Sequence, residues 1–383
     1  MARLNKVYNG LLIFTIFCQI LINSTNSQFQ YWGLNKYQYF LWLCMFFLFV
    51  YCFFKYSLSR TVLMRLLILL IITIVLLLLK DYFFVQLFIF VIYSLYIDTK
   101  EIIKDYFYGI IFAVITVILL SYIGFFPMYT PGNYLLAFGF NNPNTLGLLI
   151  TLIYLSGYLI FDKVNEIITL IVTMGIIYFT FFPLDDKTAS ITIFIFYILI
   201  HINVKGFNYF IKWITIIIPF VLFILAVFLS FYVEKYNWTL RLSSWLTGRP
   251  EIWAQYYSIY KVHLLPHDVQ TFSLSNYERN FFGNNTPLLY RGFDGAYSSG
   301  LLTQGVIGII ILLIVISYYI YCLDVNKDRK LIIVFLSLLI FAFTESIFIV
   351  PFGSFTNYLL ILAVRNVLGV LPESIKDNDS WKK

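Results

Sequence analysis

Long apolar runs are the feature that most constrains how this chain can fold. Runs of apolar residues, separated by charged or turn-rich breaks, predict twelve membrane-spanning helices. Their predicted bounds are 7–23, 37–57, 62–79, 82–97, 105–126, 144–161, 166–182, 188–203, 209–232, 300–322, 331–350 and 354–371. One spanning helix needs about 20 apolar residues, so 383 residues leave room for these spans and short connections. The pattern predicts an all-α polytopic protein with a single membrane domain over 1–383.

The overall composition excludes a water-soluble globular domain. The chain is 61% hydrophobic and 12% charged, and its mean hydropathy is +0.85. Soluble domains are about 45–50% apolar and roughly 25% charged. Burying this much apolar surface in one aqueous globule would leave almost nothing to solvate its outside, so the composition favours a membrane protein.

The distribution of Lys and Arg over the predicted connections sets the orientation. With a cytoplasmic N-terminus, fifteen of these residues fall in the termini and inner loops, against Lys36, Lys80 and Lys187 in the short outer loops. Lys and Arg in short loops resist translocation, so both termini are predicted to be cytoplasmic. The net charge of +7 is then a topology signal rather than a nucleic-acid surface. The first run lacks a small-residue cleavage pattern after it and is predicted to be a retained span.

One predicted connection, residues 233–299, is much longer than the others and lies on the predicted outer side. We expect it to form a subdomain with short helices between spans nine and ten. Its basic residues are Lys235, Arg241, Arg249, Lys261, Arg279 and Arg291. Four of them are Arg, whereas Lys dominates the inner loops. Because Arg binds phosphate and carboxylate bidentately, this preference indicates an anionic ligand.

The stretch around Arg249 is the most informative part of this loop. Pro250 and Glu251 are typical of the first turn of a helix, which is predicted to run through Tyr260 or beyond with Arg249 at its cap. A guanidinium beside the free N–H groups of a helix start suits a phosphate or pyrophosphate. The alternative is a solvated Arg249 above an amphipathic helix on the bilayer surface, with aromatic anchors such as Trp253. Spacing leaves both interpretations open.

A second stretch runs from Tyr290 to Tyr297, just before the tenth predicted span. Asp294 would act as a helix cap or as a carboxylate that accepts a proton from a substrate hydroxyl, and the two roles can coexist in part. Arg291, three residues earlier, would orient Asp294 or bind another part of an anionic substrate.

Three further positions carry weaker signals. Glu345 lies within the eleventh predicted span, where an ionisable group indicates function, with a paired structural Glu as the alternative. The acids in 185–187 are predicted to cap a helix rather than to bind a metal. Residues 140–144, which include Asn144, predict a turn and cap at the start of the sixth span.

The sequence predicts no metal site and no cofactor. His263 and His267 flank Pro266, which prevents a helical zinc pair, and the four cysteines lie inside apolar runs without metal or disulfide spacing. We find no Walker loop, dinucleotide glycine motif or serine elbow. Cytoplasmic nucleotide chemistry is therefore not indicated.

These motifs resemble the bacterial O-antigen and capsular polysaccharide polymerases of the Wzy type, which are related to the O-antigen ligases. The likeness rests on about twelve spans, a large outer loop late in the chain, Thr247-Gly248-Arg249 followed by Trp253, and the run from Asp294 to Gly308. Residues 138–144 also look like the turn before a central span of the family. Residues 185–189 lie where members often have a Ser-Arg-Thr-like stretch, although the basic member here is Lys187.

The resemblance implies a glycosyltransferase of the multi-span C type in the bacterial cytoplasmic membrane. Its donor would be a glycan on undecaprenyl pyrophosphate, and its acceptor a lipid-linked repeat unit whose hydroxyl attacks the anomeric carbon with inversion. Metal-independent chemistry is expected, with a flippase and a chain-length regulator as possible partners and no nucleic acid. Arg249 and Asp294 are the catalytic candidates. The substrate-binding candidates are Arg241, Arg291, Arg279, Lys187, Trp253, Tyr297, Asn144 and Glu345.

Two other functions compete with a polymerase. Related ligases place a His where this chain has Asp294, which favours a polymerase over a ligase. A lipid-linked oligosaccharide flippase should show broken helices and ionisable groups within the bilayer, and the sequence offers few clear buried charges. A noncatalytic assembly scaffold would not require clustered Arg in the outer loop.

Overall fold

The computed structural model of the chain describes most of the sequence. It covers residues 2–24, scattered positions within 40–51, and residues 60–78, 82–95, 97–130, 135–161, 165–267, 269, 293–345 and 357–369. Within these ranges the regular structure is helical, apart from one isolated β-bridge between Tyr129 and Leu136. The predicted all-α class is therefore confirmed for this part of the chain.

The helices follow the predicted apolar runs along the chain. They are α1 (Ala2–Ser24), α2 (Arg60–Leu78), α3 (Tyr82–Ser94), α4 (Thr99–Tyr122), α5 (Pro143–Ile160), α6 (Glu166–Phe181), α7 (Lys187–His201), α8 (Lys205–Tyr232), α9 (Asn237–Trp245), α10 (Arg249–Ile259), α11 (Ala296–Thr303), α12 (Gly305–Cys322), α13 (Arg329–Phe341) and α14 (Asn357–Val367). The short helices α9 and α10 lie within the long predicted connection.

Apolar helices of membrane-crossing length indicate a membrane protein. By length and composition, α4, α5, α8 and α12 are long and apolar enough to cross a bilayer. Large apolar side chains also face outwards, as on α2, where Ile71 is 53% exposed, and on α8, where Ile224 is 66% exposed. Such surfaces suit hydrocarbon rather than water. The twelve spans, the orientation and the C-type glycosyltransferase fold stay predictions.

Two predicted spans differ from the observed helices. The tenth span, predicted as continuous over 300–322, is broken between α11 and α12. Gly305 has φ +69°, and a Cβ atom there would lie 2.7 Å from the Leu264 carbonyl oxygen. The backbone N–H of Val306 donates to the His263 carbonyl oxygen at 3.0 Å, so the break lets the outer segment pair with the start of α12.

The eleventh predicted span, 331–350, is also shorter in the structure than predicted. Helix α13 begins at Arg329 and ends at Phe341, and a turn carries the chain on to Glu345. The Ala342 carbonyl oxygen, left free by the end of the helix, accepts a hydrogen bond from the Ala296 N–H at 2.8 Å. Glu345 therefore lies beyond the helix rather than on its surface.

Helix α13 is the central element around which the site is built. It packs against α5, α7 and α8, and its side chains Phe335, Leu339 and Phe341 are fully buried. Helices α10 and α11 pack against α8 and against each other. This arrangement brings the end of α13 to the beginnings of α10 and α11.

Candidate functional site

Several helix ends meet at one place in the structure. Helix α10 begins at Arg249, α11 begins at Ala296, and the turn after α13 reaches both of them. The Ala296 N–H bonds to the carbonyl oxygens of Ala342 at 2.8 Å and Glu345 at 3.1 Å. Helix starts carry partial positive charge, so the potential at this meeting point favours carboxylates and other anions.

Arg249 forms a buried ion pair with Glu345. Nη2 of Arg249 lies 2.5 Å from Oε1 of Glu345, and both side chains are only 8% exposed. Nη1 of Arg249 donates to Oγ1 of Thr247 at 3.2 Å. The predicted helix start is confirmed to within one residue, since Gly248 is the cap and Arg249 the first residue of α10, and the helix ends at Ile259 rather than running through Tyr260. The alternative of a solvated Arg249 is wrong, because the side chain is buried.

The backbone before Arg249 places this residue at the start of α10. Thr247 and Gly248 both have positive φ, +56° and +75°. Such values are common for glycine and rare for threonine. Two consecutive left-handed residues turn the chain between α9 and α10 and place Arg249 at the first position of α10.

Asp294 is the partly exposed acid of the site. Burial raises the pKa of its carboxyl above the ordinary value, and the Arg249 guanidinium partly opposes this rise. Its peptide is held in place, because the Trp253 indole N–H donates to the Asp294 carbonyl oxygen at 2.5 Å. No side chain caps α11, so the predicted capping role of Asp294 is wrong.

Gly295 allows the close approach between Asp294 and Trp253. It has φ +96°, and a Cβ atom there would lie 2.7 Å from Cζ2 of Trp253. Trp253 is fully buried and packs edge-on against Phe343, with ring centroids 5.7 Å apart. The indole is thus clamped between the residues before α11 and the turn after α13.

Asp186 is a third acid that interacts electrostatically with Arg249. Its Oδ1 accepts a hydrogen bond from the Ala189 N–H at 3.0 Å, which confirms the predicted cap of α7. Its Oδ2 is buried without a hydrogen-bond partner among the described residues. Burial raises the pKa of Asp186 to about 6, although the Ala189 hydrogen bond and Arg249 act in the opposite direction.

Gly147 of α5 makes room for Asp186. A Cβ atom on Gly147 would lie 2.0 Å from Oδ2 of Asp186, so no other residue fits without movement. Sequence reasoning assigned Asp186 only a capping role and did not single out Gly147. No local signal could have found this contact, because it joins two helices that pack side by side.

Asp186, Arg249, Asp294 and Glu345 together form what we call the Arg249 cluster. Three carboxylates interact with one guanidinium, so two negative charges stay uncompensated when all three acids are ionised. A buried uncompensated charge is costly, and the cluster is therefore expected to hold a proton readily. No group of three His, Cys, Asp or Glu suited to a metal ion occurs among the described residues. The arrangement is suited to proton transfer.

The remaining predicted site residues that the structure describes make other contacts or are exposed. Arg241 is exposed on α9, and exposed Lys187 pairs with Asp185 at 3.8 Å. Tyr297 is buried and donates to the Leu339 carbonyl oxygen at 3.0 Å. The Asn144 N–H donates to Oδ1 of Asn142 at 3.0 Å, which confirms the predicted cap of α5. Arg279 and Arg291 lie outside the described residues.

No family model, curated protein or solved structure matches this chain. The class of this protein is therefore described from its fold and its candidate site. The part of the chain that the structure describes is helical, with apolar helices of membrane-crossing length and a cluster of one buried arginine and three acids.

Proposed function

We propose that this protein is a membrane glycosyltransferase that polymerises lipid-linked oligosaccharide repeat units at the outer face of a bacterial cytoplasmic membrane. The product would be an O-antigen, capsular or exopolysaccharide chain. The observation that carries the proposal is the Arg249 cluster, in which a partly exposed carboxylate stands beside a buried cation at a meeting of helix starts. The resemblance of the outer-loop motifs to Wzy-type polymerases supports the same conclusion.

Asp294 would act as the base in this reaction. The acceptor hydroxyl oxygen attacks the anomeric carbon of the donor on the face opposite undecaprenyl pyrophosphate. The bond from that carbon to the pyrophosphate oxygen breaks, so the sugar inverts, and the hydroxyl proton passes to Asp294. A carboxyl whose pKa is raised accepts a proton more readily than an ordinary aspartate.

Arg249 would stabilise the leaving pyrophosphate. A preorganised guanidinium in a site that excludes water stabilises developing negative charge strongly, and the starts of α10 and α11 add to its potential. When Asp294 takes the proton, the cluster loses one negative charge. The positive charge of Arg249 is then less compensated at the moment when the pyrophosphate departs.

Glu345 would position Arg249 rather than react. Its Oε1 lies 2.5 Å from Nη2 of Arg249, and this ion pair ties the guanidinium to the turn after α13. Asp186 would hold the start of α7 close to the Arg249 guanidinium. This division leaves Asp294 as the acid that touches the acceptor.

Reconstituted elongation tests the proposal directly. The purified protein is supplied with undecaprenyl-pyrophosphate-linked repeat units from its host, and products are separated by length. Wild type should give a ladder, and Asp294→Asn should slow elongation by about 10²-fold or more, the usual contribution of a general base. Asp185→Asn is the matched control, because this exposed acid has φ +52°, a conformation that Asn tolerates well. Binding of the repeat unit without any elongation by wild type overturns the proposal, and transfer only to a different acceptor indicates a ligase.

A transporter of lipid-linked oligosaccharide is the second candidate. Two observations favour it, the burial of several ionisable groups and the break between α11 and α12. Such a protein would couple proton uptake by the Arg249 cluster to movement of its cargo. Translocation of a labelled lipid-linked repeat in proteoliposomes, with no ladder formed, would select this function.

A further inference from the structure

An apolar groove lies away from the Arg249 cluster. Its volume is about 660 Å³, and it is lined by residues of α2, α3, α12, α14 and the outer segment at 265–266. Representative lining residues are Leu69, Val91, Ile311 and Val364. None of the four cluster residues contributes to its lining.

The lining of this groove offers almost no hydrogen-bonding groups. The side chains that line it within the described ranges are apolar except for Arg65 and Thr73. The Thr73 hydroxyl already donates to the Leu69 carbonyl oxygen at 2.8 Å within its own helix. Among the described lining residues, Arg65 is therefore the one whose side chain has N–H groups to offer a ligand.

Arg65 is held at one end of the groove. Its Nη1 donates to the Val367 carbonyl oxygen at 3.1 Å, and no carboxylate pairs with it among the described residues. Gly369 makes room for the guanidinium, since a Cβ atom there would lie 2.7 Å from Nη1. A cation that is fixed by carbonyl bonding and unpaired with an acid favours an anionic ligand.

The length of the groove matches one leaflet of a bilayer. From Arg65 to Thr73 the α2 helix rises about 12 Å at 1.5 Å per residue. Half of a hydrocarbon core of about 30 Å is of similar depth. An apolar channel of this length with one cation at its end complements an amphiphile that has an anionic head and a hydrocarbon chain.

We propose that this groove binds one acyl chain of an anionic membrane phospholipid, with the phosphate of its headgroup on Arg65. By the predicted orientation, Arg65 lies at the cytoplasmic end of the groove, and the outer segment lies at its other end. The far end of its chain would contact Leu265 and Pro266, whose neighbours bond to the start of α12. The bound lipid would thereby support the segment that meets the helix break. This site does not depend on the proposed polymerase function.

Lipid retention by the purified full-length protein tests this proposal. The protein is mixed with detergent-solubilised phosphatidylglycerol or phosphatidylcholine of the same acyl chains, and bound lipid is counted by native mass spectrometry. Wild type should retain phosphatidylglycerol at least tenfold more strongly. Arg65→Gln should remove this preference, whereas Arg60→Gln, a charge change on the same helix outside the groove, should keep it.

A second pair of variants tests the groove itself. Ile311→Trp places a large side chain in the groove and should lower retention of both lipids at least tenfold. Ile310→Trp changes the adjacent partly exposed residue, which does not line the groove, and should retain lipid as wild type does. Unfolding temperatures in detergent verify that each variant is folded. If Ile311→Trp does not fold, the comparison of Arg65→Gln with Arg60→Gln tests the proposal by itself. Equal retention of the two lipids by wild type, or undiminished retention by folded Ile311→Trp, overturns the proposal.

Discussion

Arg249 and Glu345, separated by 96 positions in the chain, form an ion pair that joins the first residue of α10 to the turn after α13. A buried ion pair adds little net stability compared with a well-packed apolar pair, because both ions lose their hydration. It does fix relative geometry, because Glu345 is the acid that bonds directly to the Arg249 guanidinium. The pair therefore sets how the starts of α10 and α11 face the end of α13.

Arg249→Ala should destabilise the protein by about 3–5 kcal/mol, because it leaves Glu345 buried without its partner. Denaturant unfolding in detergent measures this loss. The double variant Arg249→Met with Glu345→Leu replaces both charges by apolar groups and should recover most of the stability. Elongation should be lost in both variants, because neither carries the guanidinium. A single variant as stable as wild type would contradict the burial of the pair.

Gly147→Ala should disturb the Arg249 cluster through Asp186. The new methyl group would lie 2.0 Å from Oδ2 of Asp186, so the carboxylate or the α5–α7 packing must shift. We expect a loss of elongation of at least tenfold and a lower unfolding temperature.

Gly157→Ala is the matched control for this prediction. It changes a glycine in the same helix, where a Cβ atom would make an ordinary 3.5 Å contact with Phe107. Because alanine favours helix over glycine by about 1 kcal/mol, this variant should be as stable as wild type or more so. Equal behaviour of the two variants would show that the contact between Gly147 and Asp186 does not constrain the site.

The parts of the site that sequence predicted are those set by neighbouring residues. Pro250 and Glu251 place the start of α10, and Asn142 and Asp186 cap α5 and α7 through bonds to backbone groups two or three positions away. Such contacts depend on a few consecutive residues, so their patterns can be read directly. The apolar runs likewise locate most helices, because burial in lipid or core demands continuous apolar sequence.

The cluster itself could not be predicted, because its members meet only through the packing of distant helices. Glu345 was left open between a functional and a paired structural role, and nothing local indicated Arg249 as its partner. The break at Gly305 was also missed. The predicted span runs through Thr303, Gln304 and Gly305 without a break, and the outer segment against the start of α12 explains the left-handed glycine there.

Asp186 should make stability depend on pH in a defined window. Its pKa is about 6 in the folded protein against 3.8 ordinarily, so the folded state holds the proton more tightly than the unfolded state. Stability should therefore be highest below pH 4 with respect to this group and fall as pH rises to 6. The loss is at most about 3 kcal/mol, from 1.36 kcal/mol per pKa unit.

Unfolding measured from pH 4 to 7 checks this direction. Asp186→Asn keeps the oxygen that caps α7 but cannot ionise, so the pH dependence in this window should decrease relative to wild type. Asp185→Asn should leave it unchanged, because that acid is exposed. If the stability of wild type relative to Asp186→Asn rises through this window, the carboxylate of Asp186 is favoured by folding, contrary to the prediction.

Trp253→Phe should weaken the hold on Asp294 while keeping an aromatic ring against Phe343. The variant removes the indole N–H that bonds to the Asp294 carbonyl oxygen, which costs about 1–3 kcal/mol when the acceptor stays buried. Because that bond fixes the peptide of the proposed base, elongation should fall by more than the loss of folded protein accounts for. The pH profile of elongation should also shift. Trp245→Phe is the control, since Trp245 is 84% exposed on α9 and should tolerate the change. Wild-type elongation and an unshifted pH profile in folded Trp253→Phe would mean that Asp294 needs no support from the indole.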